Sequence, residues 1–88
     1  MARVVFSRAS REQINAVDTR VAEAILDAVT ALEGDPETGK RLRGRLAGLW
    51  SLRIGSYRLI YEVRDKGKTV RIVSVLHRRL SYRSDPRG

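Results

Sequence analysis

The stretch Trp50–Tyr61, WSLRIGSYRLIY, alternates apolar and polar residues on both sides of Gly55-Ser56. This pattern predicts a half-buried β-hairpin closed by a two-residue turn, because such turns need the positive φ that glycine adopts readily. The turn sets the pairing and places six residues on one side of the hairpin, which we expect to face the core: Trp50, Leu52, Ile54, Tyr57, Leu59 and Tyr61.

The other side of the same hairpin carries two arginines, Arg53 and Arg58, directly opposite each other. Like charges in cross-strand register destabilise a sheet, so the pair is unfavourable as architecture alone. An anion between the two guanidinium groups would make it favourable, since arginine offers a fixed fork of donors that suits phosphate. We therefore interpret the pair as a candidate phosphate site.

A second turn at 65–68 predicts a third strand from Thr69 to about Leu76. The pairing set by this turn gives an apolar core side without further adjustment, with Tyr61 opposite Ile72. It also predicts three further pairs and one diagonal contact: Tyr57 with Leu76, Glu62 with Arg71 as an ion pair, Arg58 with Val75, and His77 on the outer side, diagonal to Arg58.

The N-terminal half predicts a short strand followed by helices. Residues 3–6 form the strand candidate, and Ser10 with Gln13 has the spacing of a capping box. Apolar residues then recur at spacings of three and four up to Leu32, typical of one helical face, with a break at Asp18 left open. The predicted fold class is α+β: the strand and a helical pair on a mainly antiparallel four-stranded sheet, forming one domain over 1–88 with 84–88 a frayed tail.

Composition restricts the function. No apolar run approaches the ~20 residues of a membrane span, and no secretory signal is visible, so we expect a cytoplasmic protein without membrane contact. With no cysteine and one histidine, neither a disulfide framework nor a metal site is expected, and no cofactor is predicted. Residues 1–39 have a charge balance of −3, whereas residues 40–88 have a balance of +11. This asymmetry favours a polyanionic partner, nucleic acid first.

Two basic segments flank the hairpin. The connector before it has glycine turns and cationic side chains able to follow a phosphate backbone, and the segment after it adds one histidine, one tyrosine and further arginines. We expect RNA or ribosome contacts from Lys40, Arg41, Arg43, Arg45, Arg79 and Arg83. The candidate catalytic set is Arg53, Arg58, His77, Arg78 and Tyr82.

This set fits cleavage of an RNA phosphodiester without metal. In such a reaction the 2′-hydroxyl attacks phosphorus, cations stabilise the charge on the phosphate oxygens, and a proton donor helps the 5′-oxygen to leave. Arginine stays protonated at any working pH, so its role is electrostatic. Acid and base must come from His77, Tyr82 or water.

The segments 48–61 and 77–83, GLWSLRIGSYRLIY and HRRLSYR, resemble the RelE toxins of type II toxin–antitoxin systems. The resemblance implies a microbial-ribonuclease-like fold and cleavage of messenger RNA in the ribosomal A site. It also implies neutralisation by an antitoxin that wraps the toxin and binds operator DNA, so that DNA contact occurs through the antitoxin. We expect that antitoxin to be acidic.

The resemblance also implies roles for single residues. Arg53 and Arg58 correspond to phosphate-stabilising residues, Arg78 to the leaving-group arginine, and Tyr82 to the tyrosine near the 2′-hydroxyl and the base. Family members carry two lysines where this chain has Ser51 and Arg53, neither of which loses a proton at neutral pH, so His77 or Tyr82 is left as the base.

Two other functions stay open at this point. ParE toxins share the fold and inhibit DNA gyrase without ribonuclease activity. A non-catalytic RNA- or ribosome-binding module would need only the basic surface.

Overall fold

The structure is a computed structural model of the chain and describes residues 1–77. It contains the hairpin with the predicted register. Strands β3 (Leu49–Ile54) and β4 (Tyr57–Arg64) pair antiparallel, with Arg53 opposite Arg58 and Trp50 opposite Tyr61. Gly55 in the turn has a φ of +58°, a left-handed conformation that glycine adopts without a Cβ penalty. The prediction of this hairpin is confirmed.

Over residues 1–77 the sheet has five strands rather than the four predicted. Strand β1 (Arg3–Phe6) pairs parallel with β5 (Thr69–His77), and the remaining pairs are antiparallel. A two-residue edge strand, β2 (Lys40–Arg41), pairs with β3 and gives the order β1-β5-β4-β3-β2. The predicted α+β class is confirmed, and the strand count was one short because β2 has no apolar alternation to mark it.

Two helices cover one side of this sheet. Helix α1 (Arg8–Ala16) and helix α2 (Thr19–Gly34) are separate, because the Asp18 side chain accepts a hydrogen bond from the Arg20 N–H at 2.8 Å and caps α2. No helix within residues 1–77 is long and apolar enough to cross a membrane. The buried core joins α2 to strands β4 and β5, and Ala2, which precedes β1, also belongs to it; its residues are Ala2, Ile25, Leu32, Leu59, Tyr61, Val70, Ile72 and Val75.

The predicted capping box at Ser10 is wrong. Helix α1 begins one turn earlier, and Ser7 is its N-cap, with its hydroxyl accepting from the Ser10 N–H at 3.1 Å. Ser10 is fully buried inside the helix, and its hydroxyl lies 3.2 Å from the Ile72 carbonyl oxygen of β5. The serine therefore joins helix to sheet instead of closing the helix end.

Strand β5 contains a β-bulge that the turn chemistry did not predict. Tyr61 pairs with Ile72 as expected, but Ile60 pairs with Ser74, which leaves Val73 as the extra residue. The N-cap residue and one side chain of α1 hold this bulge. The Ser7 hydroxyl donates to the Val73 carbonyl at 2.7 Å, and the Val75 N–H donates to Gln13 Oε1 at 2.7 Å. Beyond the bulge every pair of the second hairpin is shifted by one residue.

Candidate active site

Arg53 and Arg58 lie together on the sheet side opposite α1 and α2, which we call the far face and which also carries Ser51, Ile60, Glu62, Arg71 and Ser74. The two arginines are direct cross-strand partners, and both are exposed. No carboxylate within residues 1–77 forms a salt bridge with either of them. Two uncompensated guanidinium groups in register give this face a concentrated positive charge that an anion can occupy.

The predicted position of His77 is wrong. Because of the bulge, His77 pairs with Tyr57, and Arg58 pairs with Leu76 instead of Val75. The imidazole meets the Tyr57 ring edge-on, with ring centroids 5.0 Å apart and planes at 89°. Tyr57 packs against the core on the helix side. The structure therefore does not bring His77 onto the face of the arginine pair.

The predicted ion pair between Glu62 and Arg71 is confirmed, and Arg64 also forms an ion pair with Glu62. Its Oε1 lies 3.5 Å from an Arg71 nitrogen and 2.6 Å from an Arg64 nitrogen. Glu62 is half-buried on the far face and is engaged by both neighbours. Within residues 1–77, these are the far-face arginines whose charge a carboxylate offsets, in contrast to Arg53 and Arg58.

The other candidate residues of the C-terminal segment lie outside the described residues. These are Arg78, Arg79, Tyr82 and Arg83, together with the predicted tail at 84–88. Their assignments stay predictions. Within residues 1–77, no group of three His, Cys, Asp or Glu side chains is placed to hold a metal ion.

The basic connector forms an open groove of about 900 Å³ at the β2 edge of the sheet. We call it the edge groove, and the residues that carry its chemistry are Glu37, Lys40, Arg41, Arg43 and Trp50. The guanidinium carbon of Arg41 lies 5.7 Å from the centroid of the Trp50 ring, within cation–π range. All four predicted RNA-contact residues of the connector are exposed. Lys40, Arg41 and Arg43 line this groove, whereas Arg45 does not.

A buried tyrosine holds the connector in place. The Tyr61 hydroxyl donates to the Pro36 carbonyl at 2.8 Å and accepts from the Gly39 N–H at 3.0 Å. A Cβ on Gly39 would lie 2.6 Å from the Ser51 carbonyl oxygen, so only glycine fits this approach. Burial raises the pKa of the Tyr61 phenol, the Gly39 N–H opposes that rise, and the nearby carboxylates of Asp35 and Glu37 add to it.

Sequence reasoning missed the bulge and this tyrosine–glycine contact. The bulge did leave a signal in the sequence. Val70 and Ile72 are two residues apart, but the next core residue is Val75, so the alternation changes phase at Val73. The contact of Tyr61 with Gly39 spans 22 residues, and no local pattern marks it.

Comparison with known proteins places the chain in a toxin family. A family model described as the ParE toxin of the type II toxin–antitoxin system ParDE matches residues 4–82. Toxin RelG of Mycobacterium tuberculosis is 38% identical over 82 residues, covering 91% of this chain and 94% of its own. Toxin RelE of the same organism is 31% identical over 85 residues, covering 94% of this chain and 88% of its own.

The solved structures agree in fold. The toxin–antitoxin complex RelBE2 of Mycobacterium tuberculosis contains a chain with a TM-score of 0.80 and 37% identity, covering 88% of this chain and 98% of that one. The intact RelBE complex of E. coli gives a TM-score of 0.77 at 21% identity, covering 88% and 96%, and supports the fold alone. The chain belongs to the RelE/ParE superfamily and is a toxin of a type II toxin–antitoxin system.

Proposed function

We propose that this toxin is a ribosome-dependent endoribonuclease that cuts messenger RNA in the A site by attack of the 2′-hydroxyl on the adjacent phosphorus, without a metal ion. The observation that carries the proposal is the Arg53–Arg58 pair, exposed on the far face with no carboxylate of residues 1–77 to neutralise it. Two cations on directly paired residues can stabilise the charge that develops on phosphate oxygens in the transition state.

The roles within the proposed site follow from residue chemistry. Arg53 and Arg58 hold the scissile phosphate, and Arg78 acts on the leaving-group side. Of the two candidates for proton transfer at the 2′-hydroxyl, Tyr82 is retained, because His77 packs against Tyr57 on the helix side. Lys40, Arg41, Arg43, Arg45, Arg79 and Arg83 contact RNA or the ribosome.

The proposal includes a cognate acidic antitoxin as partner. Residues 40–88 carry a charge balance of +11, which an acidic protein segment can neutralise. A similar solved chain occurs in a complex described as a toxin–antitoxin complex. Operator DNA would be bound through the antitoxin, and the toxin would act in the cytoplasm on messenger RNA and ribosomes.

A second candidate function is inhibition of DNA gyrase. It is favoured by the description of the matching family model as a ParE toxin, since ParE toxins resemble this chain in fold and act on gyrase. The RelE and RelG relatives, at 31% and 38% identity, support the ribonuclease instead.

The deciding experiment is primer extension on messages from a translating extract that receives the purified toxin. The proposal expects cuts within ribosome-bound codons, with EDTA having little direct effect on the chemical step. Message left intact while DNA accumulates in cleaved gyrase complexes would transfer the protein to the gyrase class. Expression without the antitoxin should arrest growth, and harmless expression at high dose would contradict both functions.

A further inference from the structure

A stack of three side chains runs from the core to the edge groove and ends in solvent. Tyr61 is fully buried, and its ring stacks on Trp50 with centroids 6.1 Å apart and planes at 21°. Trp50 is half-buried and supports Arg41 at 5.7 Å. Arg41 is exposed, so its second side is available to a ligand.

The inner end of this stack is fixed. The Tyr61 hydroxyl is hydrogen-bonded to Pro36 and Gly39, and Gly39 leads directly into β2, which carries Arg41. Tyr61 therefore supports the Trp50 ring from the core side. Through its hydrogen bond with Gly39 it also positions the strand that carries Arg41. A planar guanidinium held over an aromatic ring offers a surface on which a nucleobase can stack.

Charge favours the same ligand. Among residues 1–77, three cations line the groove, Lys40, Arg41 and Arg43, against one carboxylate, Glu37. A stacked base brings its own phosphates, and Lys40 or Arg43 can meet them, which a neutral aromatic ligand would not need.

We propose that the edge groove binds an unpaired RNA base against the solvent side of Arg41, as a contact separate from the phosphate site at Arg53 and Arg58. The inference rests on the proposed function only in taking RNA as the ligand. It predicts a contact that reads base planarity as well as backbone charge, at a site where sequence reasoning expected charge alone.

The test compares two oligonucleotides of equal length and charge, one with bases and one abasic, both 2′-O-methylated so that no cleavage can occur. Wild-type protein is expected to bind the base-containing strand about 5- to 150-fold more tightly, which corresponds to the roughly 1–3 kcal/mol of one stacked base. A base bound at Arg41 should change the fluorescence of the neighbouring Trp50. Trp50 is the single tryptophan, so the change can be assigned to this groove.

Two matched variants separate stacking from charge. Arg41→Lys keeps the charge but removes the planar group, so the preference for bases should fall below about twofold while abasic binding changes little. Arg20→Lys makes the same change at an exposed position of α2 outside the groove lining and should keep the wild-type preference. Thermal melting of both variants checks that each is folded.

Equal affinity for the two strands, binding that leaves Trp50 fluorescence unchanged, no binding of either strand, or a base preference that survives in Arg41→Lys would each overturn the inference. An acidic peptide that alone changes the fluorescence would overturn it too and would assign the groove to a protein partner. Base-dependent binding by a toxin that cuts no message would sustain the inference while refuting the proposed ribonuclease.

Discussion

The β3–β4 and β4–β5 hairpins share strand β4 but set their registers by different means. In the first, a two-residue turn at Gly55-Ser56 fixes every pair out to Leu49 with Glu62. In the second, the pairs near the turn follow the turn, but those beyond Tyr61 are shifted by the bulge. A turn therefore sets the strand register up to the point where side chains distant in sequence hydrogen-bond to the strand backbone.

The largest effect is expected where the first hairpin brings two arginines together. Arg58→Ala should lower the rate of message cleavage by about 10²–10³-fold, the usual cost of removing one fixed transition-state donor. Primer extension with single-turnover timing measures it. Arg64→Ala is the matched control, since Arg64 lies on the same strand and face but pairs with Glu62. Its rate should stay within a few-fold of wild type.

Equal losses in the two variants would mean that net charge matters and the pairing does not. Arg58→Lys adds a further distinction. A non-catalytic binding module would tolerate it with a mild loss, whereas the forked guanidinium of a catalytic phosphate site is not replaced by an ammonium.

The next effect concerns the bulge that distinguishes the second hairpin. Gln13→Met keeps the side-chain length but removes the acceptor of the Val75 N–H, leaving a part-buried donor unpaired. We expect the free energy of unfolding to fall by about 2 kcal/mol, within the range for an unsatisfied buried donor. Urea denaturation measures this loss, and hydrogen exchange at Val75 should accelerate.

Gln13→Glu keeps a side-chain oxygen as acceptor and serves as the control, with stability close to wild type. The contact between the Tyr57 and His77 rings reports the register directly in an NMR spectrum. If Gln13→Met kept both that contact and full stability, α1 would not be what holds the bulge.

A smaller effect is expected at Tyr61, where the two registers meet. Tyr61→Phe removes the hydrogen bonds to Pro36 and Gly39 and should cost about 1 kcal/mol, less than at Gln13 because water can reach the connector. Burial raises the folded-state pKa of this phenol above its usual value near 10. The hydroxyl thus contributes stability fully below the unfolded pKa and loses it as pH rises through the folded one.

The checking measurement is urea denaturation from neutral pH to the alkaline range. Wild-type stability should decline above pH ~10 more steeply than that of Tyr61→Phe, so the two curves converge. Parallel curves would show that Tyr61 does not titrate between the folded and unfolded states.

The contrast also shows how much the sequence could predict. Period-two alternation was enough for the first hairpin and for its core face, because turn and burial agreed there. The arginine pair followed from that register. The edge strand β2 could not be found, because two cationic residues carry no periodicity and depend on the distant Tyr61–Gly39 contact. His77 was placed on the wrong face because α1 imposes the bulge through Gln13 and Ser7.

The smallest effect tests whether the facing pair Arg53 and Arg58 lowers the free energy of unfolding. Arg53→Thr removes one of two facing like charges and adds a residue that favours strands, so unfolding should cost about 0.2–1 kcal/mol more than in wild type. The gain should shrink in ~1 M salt, where the screening length falls to about 3 Å.

Arg64→Thr, the control, breaks the 2.6 Å ion pair with Glu62 and should give no gain. Urea denaturation at both salt concentrations, with message cleavage measured alongside, should show Arg53→Thr more stable and less active. A destabilised Arg53→Thr would mean that the pair is not repulsive in the free protein, and the argument for an anion between the two guanidinium groups would lose its physical basis.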